Sequence, residues 1–315
     1  MKSHLPVILL AAALTGSATA QSGSGVPAAS VQPATSTISF AADVPLVETE
    51  GIPCFQARLG DGPAALFAID TGNLNSALDS KAAAAAKLAT SALPSQFPAT
   101  IRKAIVPAFS IGSVQLSGIH ALVLDFPSEH LPTSIAGFIA YPAFAKRVVQ
   151  LDYVAKRIRI SDVLTAPASV PEPSDSFAMI TFGKEGPPIV VASGFELAGK
   201  PLTAQIDTAY TGSLLIYTAS ISKLGLDDLA KTTNTVFFPY TDGGVKMRVA
   251  PSAPATFHGQ TLGTAAPQTY FPTEGVHEPD ALFDGTVGTS LFAGAVVTLD
   301  FYDHRLSIVR PVSKG

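Results

Sequence analysis

The chain has 315 residues, of which 47% are apolar and 14% are charged, and its net charge is −4. This composition can bury a large core and excludes an intrinsically disordered protein. Neither acidic nor basic residues form a long run, and no basic patch is visible, so nucleic-acid binding is not expected. The chain contains 25 glycines and 25 prolines, which favours a turn-rich β structure. The single cysteine, Cys54, excludes an intrachain disulfide and a zinc site built from cysteines.

The first predicted element is a secretory signal peptide at residues 1–20. Lys2 supplies the positive start, an apolar stretch runs from Pro6 to Leu14, and Ala18-Thr19-Ala20 has the small residues of a cleavage site. Residues 21–38 are predicted to form a flexible linker, since they are mostly Gly, Ser, Pro, Thr and Ala. No later stretch reaches the roughly 18 uncharged apolar residues of a membrane helix. We therefore expect an exported protein, periplasmic or secreted, with no membrane span.

The remainder of the chain contains two copies of one plan. The segment Ala65–Gly72, ALFAIDTG, recurs as Leu202–Ala209, LTAQIDTA. Farther on, residues 137–160 match residues 285–308 at a constant step of 148 residues. Matches at both ends of a long unit, in the same order, indicate a duplicated lobe. Two copies predict two halves related by a pseudo-twofold axis within one chain.

Each copy is predicted to be mostly β, with one short helical stretch after the Asp-Thr motif, at residues 80–89 and 218–225. Alternating apolar residues around Val149–Tyr153 predict a strand, and a hairpin is expected to end each lobe. The proline-rich segment Ala166–Ser176 reads as a linker. The predicted domains are a first lobe at 39–163, a linker at 164–176 and a second lobe at 177–311.

The chemistry is expected at Asp70 and Asp207, because in both copies an apolar strand runs directly into Asp-Thr-Gly or Asp-Thr-Ala. The small residues Gly72 and Ala209 let backbone N–H groups approach each carboxylate. The hydroxyl groups of Thr71 and Thr208 can donate across the symmetry axis. Two facing carboxylates would share one proton and titrate as a coupled pair. Such a pair can activate a water molecule and polarise a carbonyl group, the chemistry of amide hydrolysis.

These motifs resemble the aspartic proteases of the pepsin and retropepsin clan, specifically bacterial exported proteins with two retropepsin-like lobes in one chain. The family pattern is an apolar pair followed by Asp-Thr-Gly/Ala, then an apolar-apolar-Gly segment and a closing hairpin. Lobe one has Phe138-Ile139-Ala140 in the second element and lobe two has Thr286-Val287-Gly288. The resemblance implies an all-β, bilobal, pepsin-like fold of two duplicated retropepsin-like β-barrel lobes with short helices. It implies an aspartic endopeptidase with Asp70 and Asp207 as catalytic residues.

Several residues depart from the family pattern. Ala140 stands where the family usually has glycine. Asn73 and Tyr210 follow the two triplets, and each is a candidate substrate-binding residue; Asn73 can also hydrogen-bond the outer carboxylate oxygen. In lobe two, Asp242-Gly243 predicts a flap hairpin between apolar arms, with Tyr240 as a candidate substrate-binding tyrosine. No clear hairpin tip is visible in lobe one between Leu93 and Val106.

Other interpretations stay open at this stage. Each aspartate could simply cap a turn after a strand. A catalytically inactive relative could bind peptide or polymer between the lobes, and a glycosidase could also use paired carboxylates, although the chain lacks the Trp residues common in sugar sites. The scattered histidines predict no metal site, and no cofactor is expected. The expected partner is a peptide or unfolded protein substrate, and the protein is expected to be a monomer.

Overall fold

The computed structural model describes residues 38–95, 97–129, 131–181, 188–238, 245–251, 253–263, 267–273 and 282–311. The predicted signal peptide, most of the predicted linker and Tyr240 lie outside these residues. The described residues are mostly β, with short helical turns between strands.

The first half contributes the following strands: β1 (Phe40–Pro45), β2 (Val47–Thr49), β3 (Ile52–Leu59), β4 (Ala64–Asp70), β5 (Ser76–Asp79), β6 (Thr90–Ala92), β7 (Arg102–Val106), β8 (Phe109–Ile111), β9 (Val114–Leu116), β10 (Ile119–Leu124), β11 (Gly137–Ala140), β12 (Val148–Asp152) and β13 (Arg157–Ser161). The second half contributes β14 (Ser174–Thr181), β15 (Pro188–Leu197), β16 (Lys200–Ile206), β17 (Leu214–Ile216), β18 (Thr235–Phe238), β19 (Val245–Pro251), β20 (Ala255–Phe257), β21 (Gln260–Thr261), β22 (Gln268–Pro272), β23 (Gly285–Val287), β24 (Val296–Asp300) and β25 (Arg305–Val309). Strand β14 begins within the segment predicted as a linker.

The helical elements are short. An α-helix, α1 (Ser80–Ala85), follows β5, and the Asp79 carboxylate caps it by accepting the Lys81 N–H. The 3₁₀ turns span Tyr141–Phe144, Thr218–Ser220, Leu229–Lys231 and Thr289–Phe292. Both helical stretches expected after the Asp-Thr motifs are therefore present but shorter than predicted. No helix in the described part of the chain is long and apolar enough to cross a membrane.

Strand order repeats in the two halves, and this repetition confirms the predicted duplication. One sheet has the order β6-β7-β10-β5-β11-β4-β3-β8-β9. The other contains β18-β19-β22-β17-β23-β16-β15, and β20 and β21 continue it from β15. Each strand of the first series has its counterpart at the same place in the second. The parallel pair β4–β11 matches the parallel pair β16–β23.

The two halves are joined by a shared run of strands, β1-β13-β12-β24-β25-β14. The pairing β12–β24 lies at its centre and is antiparallel, with Gln150 opposite Thr298. These two residues are equivalent under the 148-residue repeat, so the pseudo-twofold axis passes between them. The closing hairpins β12–β13 and β24–β25 were predicted as the ends of the lobes, and they build this junction. The predicted all-β, duplicated fold is confirmed.

Lobe one contains a strand pair that the sequence pattern did not reveal. Strand β6 pairs antiparallel with β7. Residues 93–101 connect the two strands, and this long connection carries no two-residue turn signal for a sequence pattern to detect. In lobe two the arms β18 and β19 also pair antiparallel. Its tip, including Tyr240, lies outside the described residues.

Candidate active site

Asp70 and Asp207 occupy equivalent places at the ends of buried central strands. Asp70 is the last residue of β4 and lies opposite Ala140 of β11 in the parallel pairing. Asp207 directly follows β16, and its N–H donates to the Val287 carbonyl of β23 at 3.1 Å. Asp70 is 5% exposed, whereas Asp207 is partly exposed. The pair is therefore buried on one side and reaches solvent on the other.

The threonines that follow the two aspartates bind across the junction of the halves. The Thr71 hydroxyl donates to the Ile206 carbonyl at 2.7 Å, and the Thr208 hydroxyl donates to the Ile69 carbonyl at 2.6 Å. Each hydroxyl oxygen also accepts the other threonine's N–H, at 3.1 and 3.2 Å. Both side chains are fully buried. These reciprocal bonds fix the backbone immediately before and after each aspartate.

Each carboxylate accepts hydrogen bonds from the loop that follows it. The Gly72 N–H donates to Asp70 Oδ1 at 2.9 Å, and the Ala209 N–H donates to Asp207 Oδ1 at the same distance. In both loops the donor is the small residue that follows the threonine. The two sites differ at the next residue, which is Asn73 in the first half and Tyr210 in the second.

Gly72 touches both carboxyl groups. Its N–H bonds Asp70, and a Cβ built on Gly72 would lie 2.5 Å from Cγ of Asp207. Only glycine leaves this space, because real Cβ atoms do not approach a carboxyl carbon so closely. Ala209, the symmetry counterpart, has a Cβ and packs against an apolar cluster that includes Cys54 and Ala68. The pair of aspartates is therefore not symmetric in detail.

The two carboxyl groups are electrostatically coupled. Burial and, once Asp207 is ionised, its nearby charge raise the pKa of Asp70 to about 7, although hydrogen bonds from Asn73 and Gly72 oppose the shift. Burial also raises the pKa of Asp207, against the N–H groups of Ala209 and Tyr210. Two neighbouring carboxyl groups in such surroundings hold one proton between them over a range of pH, because ionising both is unfavourable.

Asn73 and Tyr210 occupy equivalent positions but act differently. The Asn73 side chain donates from Nδ2 to Asp70 Oδ2 at 2.7 Å. The Tyr210 N–H donates to Asp207 Oδ1 at 3.0 Å, while its ring is 7% exposed and packs edge-on against Tyr270. Tyr210 therefore offers little side-chain surface to a ligand, and its backbone is the part that reaches the aspartate.

The departure at Ala140 has a steric counterpart in lobe two. A Cβ built on Gly288 would lie 2.5 Å from both the carbonyl oxygen and a ring carbon of Tyr210, so glycine is required there. At Ala140 the neighbouring loop carries Asn73, which turns toward Asp70 instead. Ala140 is buried and donates its N–H to Ser76 Oγ at 3.0 Å.

A group of buried polar residues near Asp207 was not predicted from the sequence. Gln205, Thr286 and Tyr217 are buried and hydrogen-bonded to one another, and Gln205 also bonds Gly72 of the first half. A signal was present, since Gln205 is polar where the first copy of the repeat has the apolar residue Ala68. Within the described residues no group of three or more His, Cys, Asp or Glu side chains is placed to hold a metal ion.

Of three comparisons with known proteins, only that with solved structures found a match. No protein-family model matches the sequence, and no curated protein is similar to it. Among solved structures, the chain is similar to the crystal structure of an aspartic proteinase from Irpex lacteus. The identity is 12% and the TM-score is 0.48, over 85% of this chain and 96% of that chain.

Proposed function

We propose that the protein is an aspartic endopeptidase in which Asp70 and Asp207 activate a water molecule for direct attack on a peptide carbonyl. The observation that carries the proposal is the matching set of hydrogen bonds around the two carboxyl groups. Each carboxyl group accepts an N–H from the residue two positions farther along the chain, and the hydroxyls of Thr71 and Thr208 hydrogen-bond across the junction between the halves. A turn-capping role for two isolated aspartates would not require this coupling between the halves.

The donors around each carboxyl group suggest a division of roles. Asp70 accepts on both oxygens, from the Gly72 N–H and from Asn73 Nδ2, and donors to a carboxylate favour its charged form. Both backbone donors to Asp207, from Ala209 and Tyr210, reach Oδ1. Asp207 Oδ2 is the oxygen better suited to carry the shared proton. Asp70 is therefore assigned as the base and Asp207 as the acid.

The proposed reaction has two proton-transfer steps and no covalent enzyme intermediate. First, the Asp70 carboxylate takes a proton from water as the water oxygen bonds the carbonyl carbon, and the Asp207 proton passes to the carbonyl oxygen. Asp70 is then protonated, Asp207 is charged, and the substrate is a neutral gem-diol. Second, the Asp70 proton passes to the amide nitrogen, the C–N bond breaks, and Asp207 takes a proton from one hydroxyl. A carboxylic acid and an amine are released.

Cleavage of an unfolded protein substrate tests the proposal. The wild-type protein is expected to cleave the substrate, and Asp70→Asn and Asp207→Asn are each expected to lower the rate roughly 100- to 10,000-fold, the usual contribution of a general acid or base. Asp300→Asn is the matched control, because Asp300 is also buried and repeated and caps a turn through Oδ1, which asparagine retains. This variant should keep the wild-type rate.

Two results would overturn the proposal. One is cleavage that persists in Asp70→Asn and Asp207→Asn, which would place the chemistry elsewhere. The other is the absence of cleavage by folded wild-type protein at any pH from 3 to 9. If peptide binding were retained in that case, the protein would be the catalytically inactive peptide- or polymer-binding alternative.

We also propose that the substrate is a peptide or unfolded protein and that the enzyme acts outside the cytoplasm as a monomer. Export is supported by the charged start, apolar stretch and small-residue pattern of residues 1–20. N-terminal sequencing of the protein recovered after expression with its full leader tests this, and a start at Gln21 is expected. A product that retains Met1–Ala20 would contradict it.

A further inference from the structure

Gln205 lies on the same face of its strand as Asp207, because the two residues are two positions apart and side chains alternate along a strand. Its neighbours across the sheet are Val191 on β15 and Thr286 on β23. The side chain is 8% exposed, so both ends of its amide need hydrogen-bond partners.

The partners of Gln205 form a directed chain. Gln205 Nε2 donates to the carbonyl oxygen of Gly72 at 3.1 Å, and Thr286 Oγ1 donates to Gln205 Oε1 at 3.4 Å. The Tyr217 hydroxyl lies 3.1 Å from Thr286 Oγ1 and completes the chain. The direction of the amide follows from chemistry, because a carbonyl oxygen only accepts and the amide nitrogen must therefore face Gly72. The Gln205 amide thus links the interior of the second half to the loop that follows Asp70.

Gly72 lies between the two aspartates. Its N–H bonds Asp70 Oδ1, and a Cβ built on it would overlap the Asp207 carboxyl group. The Gly72 carbonyl shares its peptide group with the Asn73 N–H, which also interacts with Asp70, so a rotation of that peptide would move a donor away from Asp70. The group that holds the Gly72 carbonyl therefore helps to hold the loop between the two carboxyl groups.

This tether exists on one side of the molecule only. Under the repeat, Gln205 corresponds to Ala68 and Thr286 to Phe138, which are apolar and pack in the cluster that includes Cys54. An alanine cannot reach the opposite loop or donate a hydrogen bond. The pseudo-twofold symmetry is therefore broken directly behind the aspartates, where a purely structural core would need no buried amide.

We propose that Gln205 is a positioning residue that fixes the two aspartates at their working separation by holding the Gly72 carbonyl. This inference rests on the proposed function for its kinetic consequence. Gln205→Met keeps the volume of the side chain and removes both hydrogen bonds. We expect kcat/KM to fall roughly 10- to 100-fold, mainly through kcat, because small misplacements of catalytic groups have effects of this size.

Two further variants separate positioning from general destabilisation. Gln150→Met is the matched control, since Gln150 is also 8% exposed and donates across the halves, to Thr298 Oγ1 at 3.1 Å, away from the aspartates. Its kcat/KM should stay within about threefold of the wild-type value.

Gln205→Glu can donate to Gly72 only when protonated, so its rate relative to wild type should recover as the pH falls. Gln205→Met should show no such recovery. If Gln205→Met does not fold, Thr286→Val, which removes the hydroxyl that orients the amide, takes its place.

A carboxyl ¹³C NMR titration of Asp70 and Asp207 keeps the inference testable without catalysis. The separation between the two apparent pKa values should narrow in Gln205→Met and stay unchanged in Gln150→Met, because loosened carboxyl groups interact less. If wild-type protein does not cleave but this narrowing occurs, the proposed function fails and the inference holds. If wild-type protein cleaves and the two glutamine variants behave alike in rate and titration, the inference is overturned.

Discussion

Thr71 and Thr208 each donate a hydroxyl hydrogen bond to the carbonyl that precedes the other's aspartate, at 2.7 and 2.6 Å. Each hydroxyl also accepts the other residue's N–H. Four hydrogen bonds thus join the halves immediately beside the two aspartates. The local geometry of Asp70 depends on the second half of the chain, and that of Asp207 depends on the first.

Replacing either threonine by valine should therefore destabilise the protein. The change keeps the shape but leaves a buried carbonyl and a buried N–H without their partner, at a cost of about 1–3 kcal/mol. Urea unfolding measures this cost, and Thr71→Ser or Thr208→Ser should recover most of it by restoring the hydroxyl. A valine variant within about 0.5 kcal/mol of wild type, a typical value for a harmless surface change, would show that the cross-junction bonds contribute little.

Gly72 and Ala209 provide a paired test of the asymmetry between the two sites. Gly72→Ala places a methyl group 2.5 Å from Cγ of Asp207 and forces that carboxyl group to move. We expect the rate of peptide cleavage to fall about 100-fold while the circular dichroism spectrum stays that of the wild type. Ala209→Gly removes a methyl group instead and should change the rate less than about threefold. Equal effects of the two substitutions would contradict the asymmetric arrangement.

Asn73 should set the acid limb of the activity profile. Its hydrogen bond to Asp70 lowers the pKa of that carboxyl group, since the donor stabilises the charged form. In Asn73→Ala the pKa of Asp70 rises, so the base becomes protonated at a higher pH and the acid limb moves upward. At the acid end of the profile the rate should fall about 10-fold, as expected for loss of one hydrogen bond to a charged group.

The neighbouring variant Asn75→Ala serves as the control for Asn73→Ala, because Asn75 lies two residues farther along the same loop. It should leave the profile in place. An acid limb that stays fixed in Asn73→Ala, or moves to lower pH, would show that Asn73 does not stabilise the ionised form of the base.

The sequence was sufficient to predict the features that occur in both copies of the repeat. Asp70-Thr71 and Asp207-Thr208 lie at matched places in a repeat, and a repeat with a closing hairpin in each copy implies two similar halves. This duplication implies that equivalent strands have the same order in the two halves. Their cross-junction hydrogen bonds were foreseeable because a pseudo-twofold axis brings equal residues together.

The features that break the repeat were harder to predict. The bond from Gln205 to Gly72 joins residues that are distant in the chain, and no local pattern specifies such a partner. The burial of Tyr210 depends on the space left by Gly288, which only the packed structure reveals. The hairpin formed by β6 and β7 has a long connection without a turn motif, so no local pattern marks it, although β7 also pairs with β10.

The pH dependence of kcat/KM tests the shared proton most directly. The active form carries one proton on the pair, so activity is lost at low pH, when both carboxyl groups are protonated, and at high pH, when both are ionised. Burial and the neighbouring charge raise the pKa for loss of the pair's last proton to about 7, so the account predicts a bell-shaped profile whose basic limb lies near neutral pH. A rate that stays constant up to pH 9, or a profile with a single limb, would contradict a dyad that works with one proton between Asp70 and Asp207.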